Sequence, residues 1–132
     1  MTSQSDHPTP TPTADPASVE LAQEAVTAIL DKQGSDVVAL DVGELLQITE
    51  IFVIATGTSR RQVLTLADVV RERLRDTADL RPLRVEGEEE GEWVLLDFGS
   101  IVVHLFQPDL RSFYDLERLW ADAPRLELEG VA

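Results

Sequence analysis

Trp93-Val94-Leu95-Leu96-Asp97-Phe98-Gly99-Ser100-Ile101-Val102-Val103-His104-Leu105-Phe106 decides the fold of this chain. Two apolar runs of strand length flank a Gly-Ser pair, the signature of a tight β-hairpin with glycine at its first turn position. With Phe98 facing Ile101, Leu96 pairs with Val103 and Val94 with Leu105, and that face is wholly apolar. The opposite face pairs Asp97 with Val102, Leu95 with His104 and Trp93 with Phe106. Aromatic rings and ionisable groups share it, so it is either covered by the terminal helices or offered to a partner.

Outward from the hairpin, periodicity supplies the other elements. Val63, Leu66, Ala67, Val70 and Leu74 recur on one helical face. Ser59 followed by Gln62 reads as its capping box. Val37 to Val42 and Ile51 to Ala55 are apolar runs of strand length, separated by a polar stretch read as irregular. Leu80 to Glu86 reads as an edge strand with Pro82 near its start. Ser18 is placed to cap a first helix carrying Val19, Ala22, Val26 and Ile29, and Gly34 to end it. Asp109 to Ala121 closes the core as a short helix or two turns. The expected order is α-β-β-α-β-β-β-α, an α/β fold with helices packed on a mixed five-stranded sheet. Residues 1–17, rich in Thr-Pro, read as a disordered tail, 18–123 as the domain, and 124–132 as an acidic tail that frays.

Composition narrows the function. The 132 residues hold 25 acidic and 11 basic side chains, a net charge of −14. That balance disfavours coating a bare nucleic acid and suits a basic protein partner. No apolar run approaches the roughly 18 residues of a membrane span, and no secretory signal pattern opens the chain, so a cytoplasmic protein is expected. The chain has no cysteine and two histidines, which leaves no Cys/His zinc site. Gly57-Thr58-Ser59 lacks the spacing and lysine of a phosphate-binding loop. Asp97-Phe98-Gly99 spells a kinase magnesium motif without the kinase's other parts. His104 is a candidate general base without a placed nucleophile. Glu86, Glu88, Glu89, Glu90 and Glu92 crowd the loop before Trp93, read as solvated.

Taken in order, several segments closely resemble the ribosomal silencing factor family (RsfS, Iojap). They are Val38–Val42, Phe52–Ser59, Val85-Glu86-Gly87, Trp93–Gly99, Val102–Phe106 and Arg111–Trp120. The resemblance implies a nucleotidyltransferase-like fold without catalytic residues, no cofactor and no metal. It further implies a non-enzymatic repressor that binds the large ribosomal subunit through ribosomal protein uL-fourteen. Small-subunit joining is then blocked, lowering translation under nutrient limitation. By the same resemblance the partner-binding tryptophan falls on Trp93, with Glu86, Gly87, Asp97, His104, Tyr114, Glu117 and Trp120 around it. A homodimer is left open; membranes and sequence-specific nucleic acid are not expected as partners. The rival reading is a small nucleotide-binding enzyme on the same scaffold.

Overall fold

The structure, a computed structural model, describes residues 13–131. Its strands are β1 (Ser35–Asp41), β2 (Ile51–Thr56), β3 (Arg84–Glu86), β4 (Trp93–Asp97) and β5 (Ile101–Phe106), in the spatial order β1-β2-β5-β4-β3. β2 runs parallel to β5, and the other pairs are antiparallel. This is the mixed five-stranded sheet expected from the sequence. The hairpin register is also the one read from pattern, with Trp93 opposite Phe106 and Leu95 opposite His104. Gly99 takes the positive φ of +92° that its turn position requires.

Two long helices, α1 (Pro16–Asp31) and α3 (Arg60–Ala78), cover one face of the sheet. Val63, Leu66, Ala67, Val70 and Leu74 are fully buried there against Val94, Leu96, Val103 and Leu105. Such a continuous apolar layer supplies most of the folding free energy of a domain this size. The Ser59 hydroxyl accepts from the Gln62 N–H at 3.1 Å, as a capping box requires. The return bond is displaced by one residue: Gln62 Oε1 accepts from the Thr58 N–H at 2.7 Å.

Several local expectations are corrected. Asp15, not Ser18, caps α1: its side chain accepts from the Ala17 N–H, and Pro16 opens the helix. Ser18 is buried, and its hydroxyl donates to Glu50 at 2.8 Å. Gln33, not Gly34, takes the left-handed turn after α1 (φ +66°). The stretch after β1 is not wholly irregular, because Gly43–Leu46 makes a one-turn helix, α2. β3 is only three residues long. Leu80 is still finishing α3, with its N–H on Leu74 O, and Pro82 has no N–H to offer a ladder. The last helix is broken in two, α4 (Pro108–Tyr114) and α5 (Leu116–Leu119), by Asp115 at φ +46°.

The chain ends matter most. Positions 1–12, the greater part of the Thr-Pro tail, lie outside the described residues. The N–H groups of Thr13 and Ala14 both reach Asp41 Oδ2, so the tail reading overran its end. The segment from Pro124 was expected to fray and instead adds to the sheet. Asp41 N–H donates to Pro124 O, Leu126 N–H donates to Ala39 O, and Arg125 bridges Leu40. Leu126 is buried in the helix-side core, with Leu128 and Val131 packed on it. Covering the edge of β1 removes unpaired backbone groups from water and from other chains. Leu126→Ala is therefore expected to cost about 2–3 kcal/mol, the range for a buried leucine. A urea midpoint equal to that of the parent would show that this segment is dispensable.

Candidate functional site

The second face of the sheet carries the residues singled out above. α4, α5 and Ala123 roof only part of it, through Leu110, Leu116 and Trp120 over Val38, Leu40, Phe52 and Phe106. The β4 side stays open.

Trp93 is half-buried on this face. Its indole stacks on Phe106 at 4.9 Å, the pair the hairpin register places directly across the strands. Tyr114, at the end of α4, leans on it at 4.6 Å. The indole N–H donates to His104 Nδ1 at 3.2 Å. Trp93 is thus packed into a second aromatic cluster with one side left to solvent, rather than standing clear of the fold.

His104, an ionisable side chain, is only 4% exposed. The reason is its charge state. Burial pushes its pKa down from 6.5 to about 4, so the imidazole is neutral near pH 7. Nδ1 accepts from Trp93, which places the proton on Nε2. Phe52 meets the ring edge-on at 4.6 Å. The role of general base has no support in this geometry, because Asp97 is turned to other work. Asp97 Oδ1 accepts from the Gly99 N–H at 2.8 Å, shaping the hairpin turn, and Oδ2 lies 3.6 Å from Arg84. Among the described residues no group of three His, Asp or Glu stands together to hold a metal.

The acidic loop is more ordered than its composition suggests. Gly87 (φ +86°) lets the chain turn beside β4: a Cβ there would lie 1.9 Å from Trp93 O. Glu88 pairs with Arg71 at 2.9 Å. The Arg60 guanidinium donates to Glu89 O, and Gln107 donates to Gly91 O. Glu89, Glu90 and Glu92 remain exposed, held on a pinned backbone beside Trp93. Glu86 is also exposed, with Arg84 at 3.2 Å.

Two of the sequence-derived positions do structural work. Glu117 receives Arg111 at 3.0 Å, and Arg111 also donates to Thr56 Oγ1 and Asp36 O. This mostly buried guanidinium ties α4 and α5 to β1 and β2. Trp120 packs edge-on against Phe52 at 5.7 Å. Gly57-Thr58-Ser59 is occupied with capping, the Thr58 hydroxyl donating to Gln62 Oε1. The structure therefore gathers Trp93, His104 and Tyr114 into one cluster, with Trp120 joined through Phe52 and Glu86, Gly87 and Asp97 along the β3–β4 side. Glu117 is not part of it.

The sequence reading missed the apolar groups around this face. Ile48 and Leu83 are 81% and 77% exposed, and Phe113 and Leu119 stand open on α4 and α5. For Ile48 and Leu83, isolated large apolar residues inside polar loops were the available signal.

A family model described as ribosomal silencing factor during starvation matches residues 15–132. The chain belongs to the ribosomal silencing factor family. The match includes the segment after 123, in keeping with its place on β1. A Halalkalibacterium halodurans protein named ribosomal silencing factor RsfS is 43% identical over 112 residues, covering 85% of this chain and 95% of that protein. The Bacillus subtilis protein of the same name is 38% identical, covering 80% of this chain and 88% of that protein. A mouse protein named mitochondrial assembly of ribosomal large subunit protein 1 is 31% identical, over 72% of this chain and 42% of that protein. The fold is shared with a Chromobacterium violaceum crystal structure, at a TM-score of 0.75 and 36% identity, covering 86% of this chain and 92% of that one.

The buried imidazole makes stability depend on pH. Its folded pKa lies below its unfolded value, so between pH 6.5 and about 4 the unfolded chain binds more protons than the folded one. Stability from this group is full above pH 6.5 and is lost as pH falls through that window, by up to about 3 kcal/mol. Urea unfolding of His104→Phe is expected to show a flatter profile over the same range. Parallel profiles for parent and variant would mean that His104 is not held neutral by the fold.

Proposed function

We propose that this chain is a translational repressor that binds the large ribosomal subunit through ribosomal protein uL-fourteen. Its open sheet face, centred on Trp93, makes the contact, and the bound domain sterically blocks joining of the small subunit. The observation that carries the reading is a half-buried tryptophan on an incompletely roofed face, flanked by carboxylates on a pinned loop, in a ribosomal silencing factor family member. Aromatic anchors of this kind dominate protein interfaces, and rim carboxylates steer a basic partner toward them. Glu86, Asp97, Tyr114 and Trp120 surround the anchor, Gly87 shapes the approach to it, and His104 orients it. Glu117 acts at one remove, by holding α4 and α5 in place.

Sedimentation tests the function. With purified large subunits the protein is expected to co-migrate, and adding small subunits should then yield fewer joined particles than a control without it. A protein that stays at the top of the gradient, or travels with fully joined particles, contradicts the proposal.

Trp93→Ala separates anchoring from folding. It is expected to weaken binding to large subunits by at least about 2 kcal/mol. The free domain should lose about 2 kcal/mol, below the ~3–5 kcal/mol of emptying a fully buried tryptophan site, because part of the indole already meets water. Urea unfolding and a binding titration on one preparation measure both. Unchanged affinity per folded molecule would move the interface elsewhere.

A further inference from the structure

Two buried polar atoms have no hydrogen-bond partner among the described residues: Thr49 Oγ1 and His104 Nε2. Thr49 is 7% exposed and His104 4%, so water does not reach them freely. Both residues line one groove of about 330 Å³ on the open face of β4 and β5. Phe52, Leu95 and Val102 give it apolar walls, and the exposed side chains of Ile48 and Leu83 flank it. Buried polar groups are satisfied in nearly all native structures, and orphaned ones call for a specific explanation.

The chemistry of an occupant follows from these groups. The walls favour an apolar group that displaces water. His104 Nε2 carries a proton, because Nδ1 is taken by the Trp93 N–H, so it needs an acceptor. Thr49 offers a hydroxyl that donates or accepts. Asp97 and Arg84 line the groove, and the exposed Glu86 lies 3.2 Å from the same guanidinium, so two carboxylates share one cation and favour lysine or arginine next to the entering group. A second copy of this chain, with its net charge of −14, meets like charge at the same place.

We propose that this groove is a socket for one side chain of a basic ribosomal protein. An apolar residue enters between Ile48 and Leu83, and a neighbouring carbonyl accepts from His104 Nε2–H. Trp93 sets the histidine tautomer, so the anchor and the socket act as one unit. The proposal rests on the reading that the open face binds the large subunit, and it adds the chemistry of the group received.

The test measures affinity for purified large subunits. Ile48→Asp and Leu83→Asp put a carboxylate at rim positions already in water, so the fold tolerates them. Lys32→Gln, exposed on the helix-covered side, makes the same one-unit charge change away from the groove. The parent and Lys32→Gln are expected to bind within about twofold of each other, and both rim variants about 30-fold more weakly. Thr49→Val keeps the shape and removes the hydroxyl; it is expected to bind about tenfold more weakly with no loss of melting temperature. Rim variants that bind like the parent overturn the socket and leave the subunit-binding reading intact. Unchanged affinity for Thr49→Val overturns its polar half. If the parent itself fails to bind, the underlying reading falls. Rim variants that abolish self-association while still binding subunits assign the groove to a second copy and overturn the proposal.

Discussion

Strand β5 is hydrogen-bonded along both edges, to β2 in parallel and to β4 antiparallel, and all six of its residues are buried. Its alternation therefore governs the whole molecule. Ile101, Val103 and Leu105 face the long helices, while Val102, His104 and Phe106 face the other way. A slip of one residue would carry the imidazole into the helix-side core and strand the aliphatic set under a partial roof. With β5 fixed, Trp93 has one position open to it, across from Phe106 and beside His104.

The open face is therefore assembled from groups whose positions are set by the core. Neutral His104 accepts a hydrogen bond from the indole N–H, which orients the tryptophan and leaves the opposite ring nitrogen as a donor. Gly87 brings the chain close over the start of β4, where any side chain would collide with the Trp93 carbonyl. Arg60 and Arg71 of α3 then hold the acidic loop from the helix side, and Gln107 holds it from the cap of α4. Charges on such a pinned backbone lose little conformational freedom when a partner arrives.

What the sequence disclosed and what it concealed divide along physical lines. The hairpin register, the buried stripe of α3 and the side on which Trp93 lies follow from periods of 2 and 3.6, which are local properties. The C-terminal segment is different. Leu126 and Leu128 alternate with Glu127 and Glu129 as a strand would, but what orders the segment is remote: β1, more than 80 positions away, bonds Leu126, and Gln23 of α1 bonds Glu129. Nothing nearby reveals it. The state of His104 was concealed for a related reason: a histidine reads as polar until its hydrogen-bond partner is known, and that partner is the indole across the strand pair. Glu117 was placed at the site by the family resemblance, and its tie to Arg111 depends on where α4 breaks.

The absence of cysteine allows a direct test of whether the open face meets the large subunit, since any introduced thiol is the only one present. Glu92→Cys places it at an exposed loop position next to Trp93, and Lys32→Cys places it on the helix-covered side. Alkylation rates are measured with and without saturating large subunits. The account predicts strong protection of Cys at position 92 and unchanged reactivity at position 32. Protection at position 32 with free reaction at position 92 would contradict it.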